Sequence, residues 1–132
     1  MVFTRYFNFE VQGCESLKPY HIGVMRGIKS TEMLTKGMER TFLHKFDQMF
    51  FMLEKERIDI GLTDRVLGLE IIHSLNFKNI RYLEPPLIKR NLYHYVHKKH
   101  NDIVGKLTKA LREMEKSGRI EQIRNEFIEK LQ

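Results

Sequence analysis

Apolar positions fall into short runs whose period changes along the chain, and each change marks an element. Over Met1–Phe9, Val2 alternates with Thr4, and Phe7 and Phe9 flank Asn8; this predicts an extended segment ending at the Gln12-Gly13 turn signal. After Pro19 the run Tyr20–Met25 is apolar and β-branched and stops at Arg26-Gly27, as a buried strand feeding a turn does. Ser30 and Thr31 then offer N-cap oxygens to a short helix that Gly37 closes. Thr41–Leu43 is a brief strand, and Asp47–Lys55 carries Met49, Phe50, Met52 and Leu53 at helical spacing. The Met and Phe stripe reads as core, with an adaptable partner surface as its alternative. Ile58–Leu62 is a compact strand around Asp59, and Thr63 caps a helix with Leu67, Ile71, Ile72 and Leu75 on one face.

Ile80–Leu83 returns to strand, and Pro85-Pro86 marks an extended crossing, since neither a helix interior nor a central strand tolerates that pair. Leu92–His97 reads as a further strand. From Asn101 the pattern is helical: Ile103, Leu107, Ala110, Leu111 and Met114 share a stripe ended by Gly118, and Ile120, Ile123, Phe127 and Leu131 form the next. Strands alternating with helices predict an α/β fold, a mixed and mainly parallel sheet with helices on both faces, followed by two C-terminal helices.

At 132 residues the chain fits one domain with a core of its own. Its 23 basic and 17 acidic residues give +6, which attracts anions, but the cations are scattered among acids and form no nucleic-acid arm, so no nucleic-acid partner is expected. Cys14 is the single cysteine, so neither an intrachain disulfide nor a cysteine zinc site is expected. The first ten residues lack the basic start and apolar run of a secretory signal.

The stretch His21-Ile22-Gly23-Val24-Met25-Arg26-Gly27 with Ser30-Thr31-Glu32 resembles the beginning of the second lobe of bacterial extracellular solute-binding proteins of the amino-acid type, the family 3 receptors of ABC transporters. Phe50 to Asp59, Thr63-Asp64, Tyr93 to Lys99 and Lys116-Ser117-Gly118-Arg119-Ile120 resemble later segments of that lobe in order and spacing, from about Leu17 to the end. Two departures stand out: most of the first lobe has no counterpart here, and Glu56 occupies a position where the family places Gly to end a helix.

The resemblance implies a periplasmic-binding-protein type II lobe over about residues 17–97 and a helical pair over 98–132, together a single truncated domain. It implies binding without chemistry, a periplasmic location, a small-molecule solute that is an amino acid or carboxylate, and a membrane permease or a sensor as partner. Residue by residue it places the solute carboxylate on Ser30 and Thr31, and the solute amino group on Asp64. A helix N-terminus, with its orphan donors and positive dipole end, suits a carboxylate on physical grounds as well. The same residues also read as plain caps: Ser30 or Thr31 for its own helix, Asp64 as a complement to the dipole. Both turns follow strands, so they are expected at one edge of the sheet.

Other chemistry finds little support. His94, His97 and His100 are three apart, which on a strand sends neighbours to opposite faces, away from a shared metal. Glu70 and His73 make one E-x-x-H pair where a carboxylate-bridged metal site needs two. No nucleophile, base and orienter set is recognisable around Cys14 and Glu15, so no enzyme and no cofactor is expected. The alternative to solute binding is a structural or regulatory interaction module without a small ligand. The stripes of the last two helices exceed what the short N-terminal segment covers, which predicts a homodimer through Ile103, Leu107, Leu111, Met114, Ile120, Ile123 and Phe127.

Overall fold

The computed structural model describes residues 1–91 and 93–131, in two compact units, Met1–Lys89 and Arg90–Gln132. The first unit is built on a five-stranded sheet in the order β3-β2-β4-β1-β5. Its strands are β1 (Val2–Thr4), β2 (Ile22–Met25), β3 (Arg40–Leu43), β4 (Ile60–Leu62) and β5 (Arg81–Leu83). β2 pairs in parallel with β3 and β4, whereas β1 lies antiparallel between β4 and β5. β2 to β5 therefore share one direction and β1 alone opposes them, the mixed and mainly parallel sheet expected. The extended segment foreseen over Met1–Phe9 becomes strand only at Val2–Thr4, yet it occupies the interior of the sheet.

Strand alternation sends side chains to two cores. On one face Phe3 and Met25 pack with Met49, Phe50 and Leu53 of α2 (Phe46–Glu54) and Ile71 of α3 (Arg65–Ser74). Close approach here depends on glycine: Gly23 and Gly61 are register partners, and a Cβ on Gly61 would come within 2.5 Å of the Met49 sulfur. Gly68 of α3 rests on the Phe3 ring in the same way, 2.0 Å from a built Cβ. The other face, with Val2, Ile22, Val24, Ile60, Leu62 and Leu83, is closed by Val11 and Leu17, the latter in a 3-10 turn (Cys14–Leu17), and by Tyr20, Met38 and Phe42. α2 and α3 thus cover one face, and a short turn with extended chain helps to close the other.

The second unit holds a 3-10 segment (Lys98–Ile103), α4 (Val104–Lys116) and α5 (Arg119–Glu129). Gly118, in the left-handed region at φ 74°, makes the break between the two helices. The strand expected over Leu92–His97 is not formed in residues 93–97, which have no strand partner; Leu92 lies outside the described residues. Tyr93 and Tyr95 alternate correctly for a strand, but they are 71% and 93% exposed, and alternation supplies no neighbour to pair with.

Candidate functional site

Because β2 and β4 are parallel neighbours, their carboxyl ends open on one edge of the sheet, and the turns carrying Ser30, Thr31 and Asp64 both leave from that edge. At the end of β2 the Arg26 amide donates to the Leu43 carbonyl at 2.8 Å, tying this exit to the end of β3. Gly27 turns the chain at φ 89°, and its amide donates to Glu32 Oε1 at 2.8 Å.

The helix that follows, α1 (Lys29–Leu34), begins earlier than expected, with Ile28 rather than Ser30 or Thr31 at the N-cap. The Ile28 carbonyl already accepts from the Thr31 and Glu32 amides, so the turn is closed before a Ser30 or Thr31 oxygen can serve as cap. Thr31 Oγ1 donates to the same carbonyl at 3.0 Å, leaving only its lone pairs for another partner. Ser30 is half-buried; its hydroxyl and the Lys29 and Ser30 amides have no partner among the described residues.

Asp64 replaces Thr63 as the N-cap of α3. Its Oδ1 accepts the Leu67 amide at 2.9 Å, so one oxygen is committed to the helix and the other remains outward. Thr63 cannot cap because its hydroxyl is buried, and it has no hydrogen-bond partner. Its carbonyl accepts the Met1 amino group at 2.8 Å. Burial holds that amino group below its usual pKa, while the charge of Asp64 pulls the other way. Arg26 also stands at this edge, its guanidinium 5.1 Å from the centre of the Phe42 ring. Sequence reasoning missed Thr63 Oγ1 and Arg26: an orphan hydroxyl is visible only once burial is known.

Ser30, Thr31 and Asp64 line none of the described concavities. The edge offers donors and a carboxylate on an open surface. Elsewhere, among the described residues, no group of three metal-ligating side chains gathers, and His97 Nδ1 accepts the Lys99 amide at 3.3 Å.

No protein-family model matches the sequence, and no curated protein does. Solved structures match closely in shape. An ancestral arginine-binding protein bound to arginine superposes with a TM-score of 0.70 at 22% identity, over 96% of this chain and 58% of that one. A structure concerned with glutathione import in Gram-positive bacteria via GshT and the cystine ABC importer TcyBC of Streptococcus mutans gives 0.72 at 13% identity, over 96% and 57%. Domain 2 of TmArgBP gives 0.50 at 17% identity and is itself covered over 88%, by 61% of this chain. This chain thus spans under three-fifths of the two larger proteins and nearly all of the isolated second domain. The likeness at these identities is one of fold: the chain has the architecture of a periplasmic-binding-protein type II lobe, as found in the amino-acid solute-binding proteins of ABC transporters.

Proposed function

We propose that the chain is a solute-binding lobe with its C-terminal helices, which holds an amino acid or small carboxylate without altering it. One observation carries the proposal: the parallel pairing of β2 with β4 brings the unpaired Ser30 donors and the Asp64 carboxylate to one edge. Ser30, with Thr31 beside it, receives the carboxylate, and the free oxygen of Asp64 receives the amino group. The Ser30 donors and one Asp64 oxygen are without protein partners among the described residues, and the positive end of α1 favours an anion. The proposal includes a periplasmic location and delivery to a permease, by analogy with the proteins whose fold it shares.

A thermal-shift series with arginine, glutamine, cystine and simple carboxylates tests it. A ligand that binds only the folded chain, at a hundredfold excess over its Kd, adds about 2.7 kcal/mol and raises Tm. If none of these solutes moves Tm at millimolar concentration, the solute-binding proposal fails and an interaction module without small ligand takes its place.

A further inference from the structure

We propose that the open edge of β5 is a docking groove for an extended, acidic segment of a partner protein, which joins the sheet as a further strand. β5 is the last strand in the order, paired only with β1. Residues 80–84 make no other backbone hydrogen bond among the described residues. An unpaired strand edge is a template for another chain, and natural proteins that do not use one usually cover it.

Among the residues of the first unit the edge is not covered but recessed. A concavity of about 480 Å³ runs the length of Ile80 to Glu84, walled by Leu69 and Ile72 of α3 and by Phe9. Tyr82 is register partner to Phe3 and shares the α3 side of the sheet with it, whereas Arg81, opposite Thr4, faces the other side. An added strand would therefore present alternate side chains to two different surroundings: apolar beside Leu69 and Ile72, cationic beside Arg81.

The groove continues at the amino end of β5 into a second concavity of about 380 Å³, which shares Ile80 and Arg81 with it and also meets Arg5 and Lys78. Arg5 is ion-paired with Glu56 at 3.3 Å, but Lys78 and Arg81 are in no ion pair among the described residues. Arg81 donates to the Phe7 carbonyl at 3.3 Å, which leaves its charge unneutralised, and two such cations beside an apolar wall call for alternating acidic and apolar side chains. The groove's own acid, Glu84, stands at the carboxyl end of β5, whereas Lys78 and Arg81 stand toward its amino end, so the acidic side chains of the segment are called for there. With β5 short and Pro85-Pro86 at its carboxyl end, the added pairing is brief and the complex readily reversible.

Three short peptides, acetylated and amidated, test the proposal against the full chain by backbone amide resonances: Val alternating with Glu, Val alternating with Lys, and the Glu peptide with alternate amides N-methylated. The Glu peptide is expected to shift the amides of Ile80 to Glu84 saturably, with the Lys peptide weaker by at least about tenfold and the N-methylated one inactive. Lys78→Glu, which removes no hydrogen bond or ion pair seen here, should weaken the Glu peptide by a comparable factor and leave Tm unchanged. Absence of a saturable shift at millimolar peptide, equal binding of the two charge types, undiminished binding of the N-methylated peptide, or shifts confined to another edge would each overturn the proposal. If dilution alone moves the Ile80 to Glu84 resonances as a dimer dissociates, the occupant is a second copy and the proposal is likewise wrong.

Discussion

Glu56 shows how one side chain can hold a backbone conformation that usually belongs to glycine. It sits at φ 55°, just after α2, where the amide of Arg57 returns to the Met52 carbonyl. The left-handed region costs a residue with a Cβ about 1 kcal/mol or more. Against this, Tyr6 donates to Glu56 Oε1 at 2.9 Å and Arg5 reaches the same oxygen; the hydrogen bond to Glu56 holds the Tyr6 phenol above its usual pKa, while the charge of Arg5 pulls the other way. The carboxylate is largely exposed, so those contacts offset only part of the backbone cost. Glu56→Ala should lose the contacts and keep the strain, whereas Glu56→Gly loses both together. Urea unfolding should therefore rank the Gly variant above the Ala variant by about 1 kcal/mol, and a reversed order would show that the turn is unstrained. The resemblance had marked position 56 as a glycine site, so the backbone turn was legible in the sequence. Its compensation by Tyr6 and Arg5 was not, because those partners are fifty residues away in the chain.

Among the elements, most strands and helices of the first unit followed from period alone, since each apolar run has one face to bury. Their caps did not. Thr63 and Asp64 are both capable N-cap residues, and what decides between them is that Thr63 is drawn into the buried end of β4 while Asp64 still faces solvent. Asp64 thus has a structural role and a proposed binding role, and two substitutions separate them. Asp64→Ala removes the cap and should cost about 0.5 to 2 kcal/mol of stability by chemical unfolding. Asp64→Asn keeps a good cap, so its stability should stay close to that of the parent while affinity for an amino-bearing solute falls more than for one without an amine. Equal loss for both solutes would remove Asp64 from the site. Ser30 and Thr31 carry a similar lesson: a hydroxyl beside a helix start signals the turn but leaves its position uncertain by a residue or two.

On the scale of the whole molecule, the second unit keeps apolar surface in the open. Ile103, Ile123 and Phe127 are between 41% and 45% exposed, although each belongs to a stripe typical of a packed helix. We expect self-association through these helices, as their stripes suggested. Light scattering over a dilution series should give a mass above 15.9 kDa, and Leu107→Asp combined with Phe127→Asp should return the chain to a monomer by placing unpaired charges in the contact. A wild-type chain that stays monomeric at micromolar concentration would contradict this. The sequence pointed to the stripes but could not name what covers them, since periodicity describes one surface at a time.

The antiparallel strand in the middle of the sheet also governs the order in which the fold can assemble. β2, β3 and β4 follow one another closely in sequence and can pair as a local unit, whereas β5 has no neighbour except β1, whose other partner is β4. Residues 81–83 therefore have nothing to join until residues 2–4 have closed a loop spanning most of the first unit, and that closure is an entropic barrier that only late contacts offset. We therefore expect β2, β3 and β4 to pair early and β1 with β5 to act as a latch that engages last.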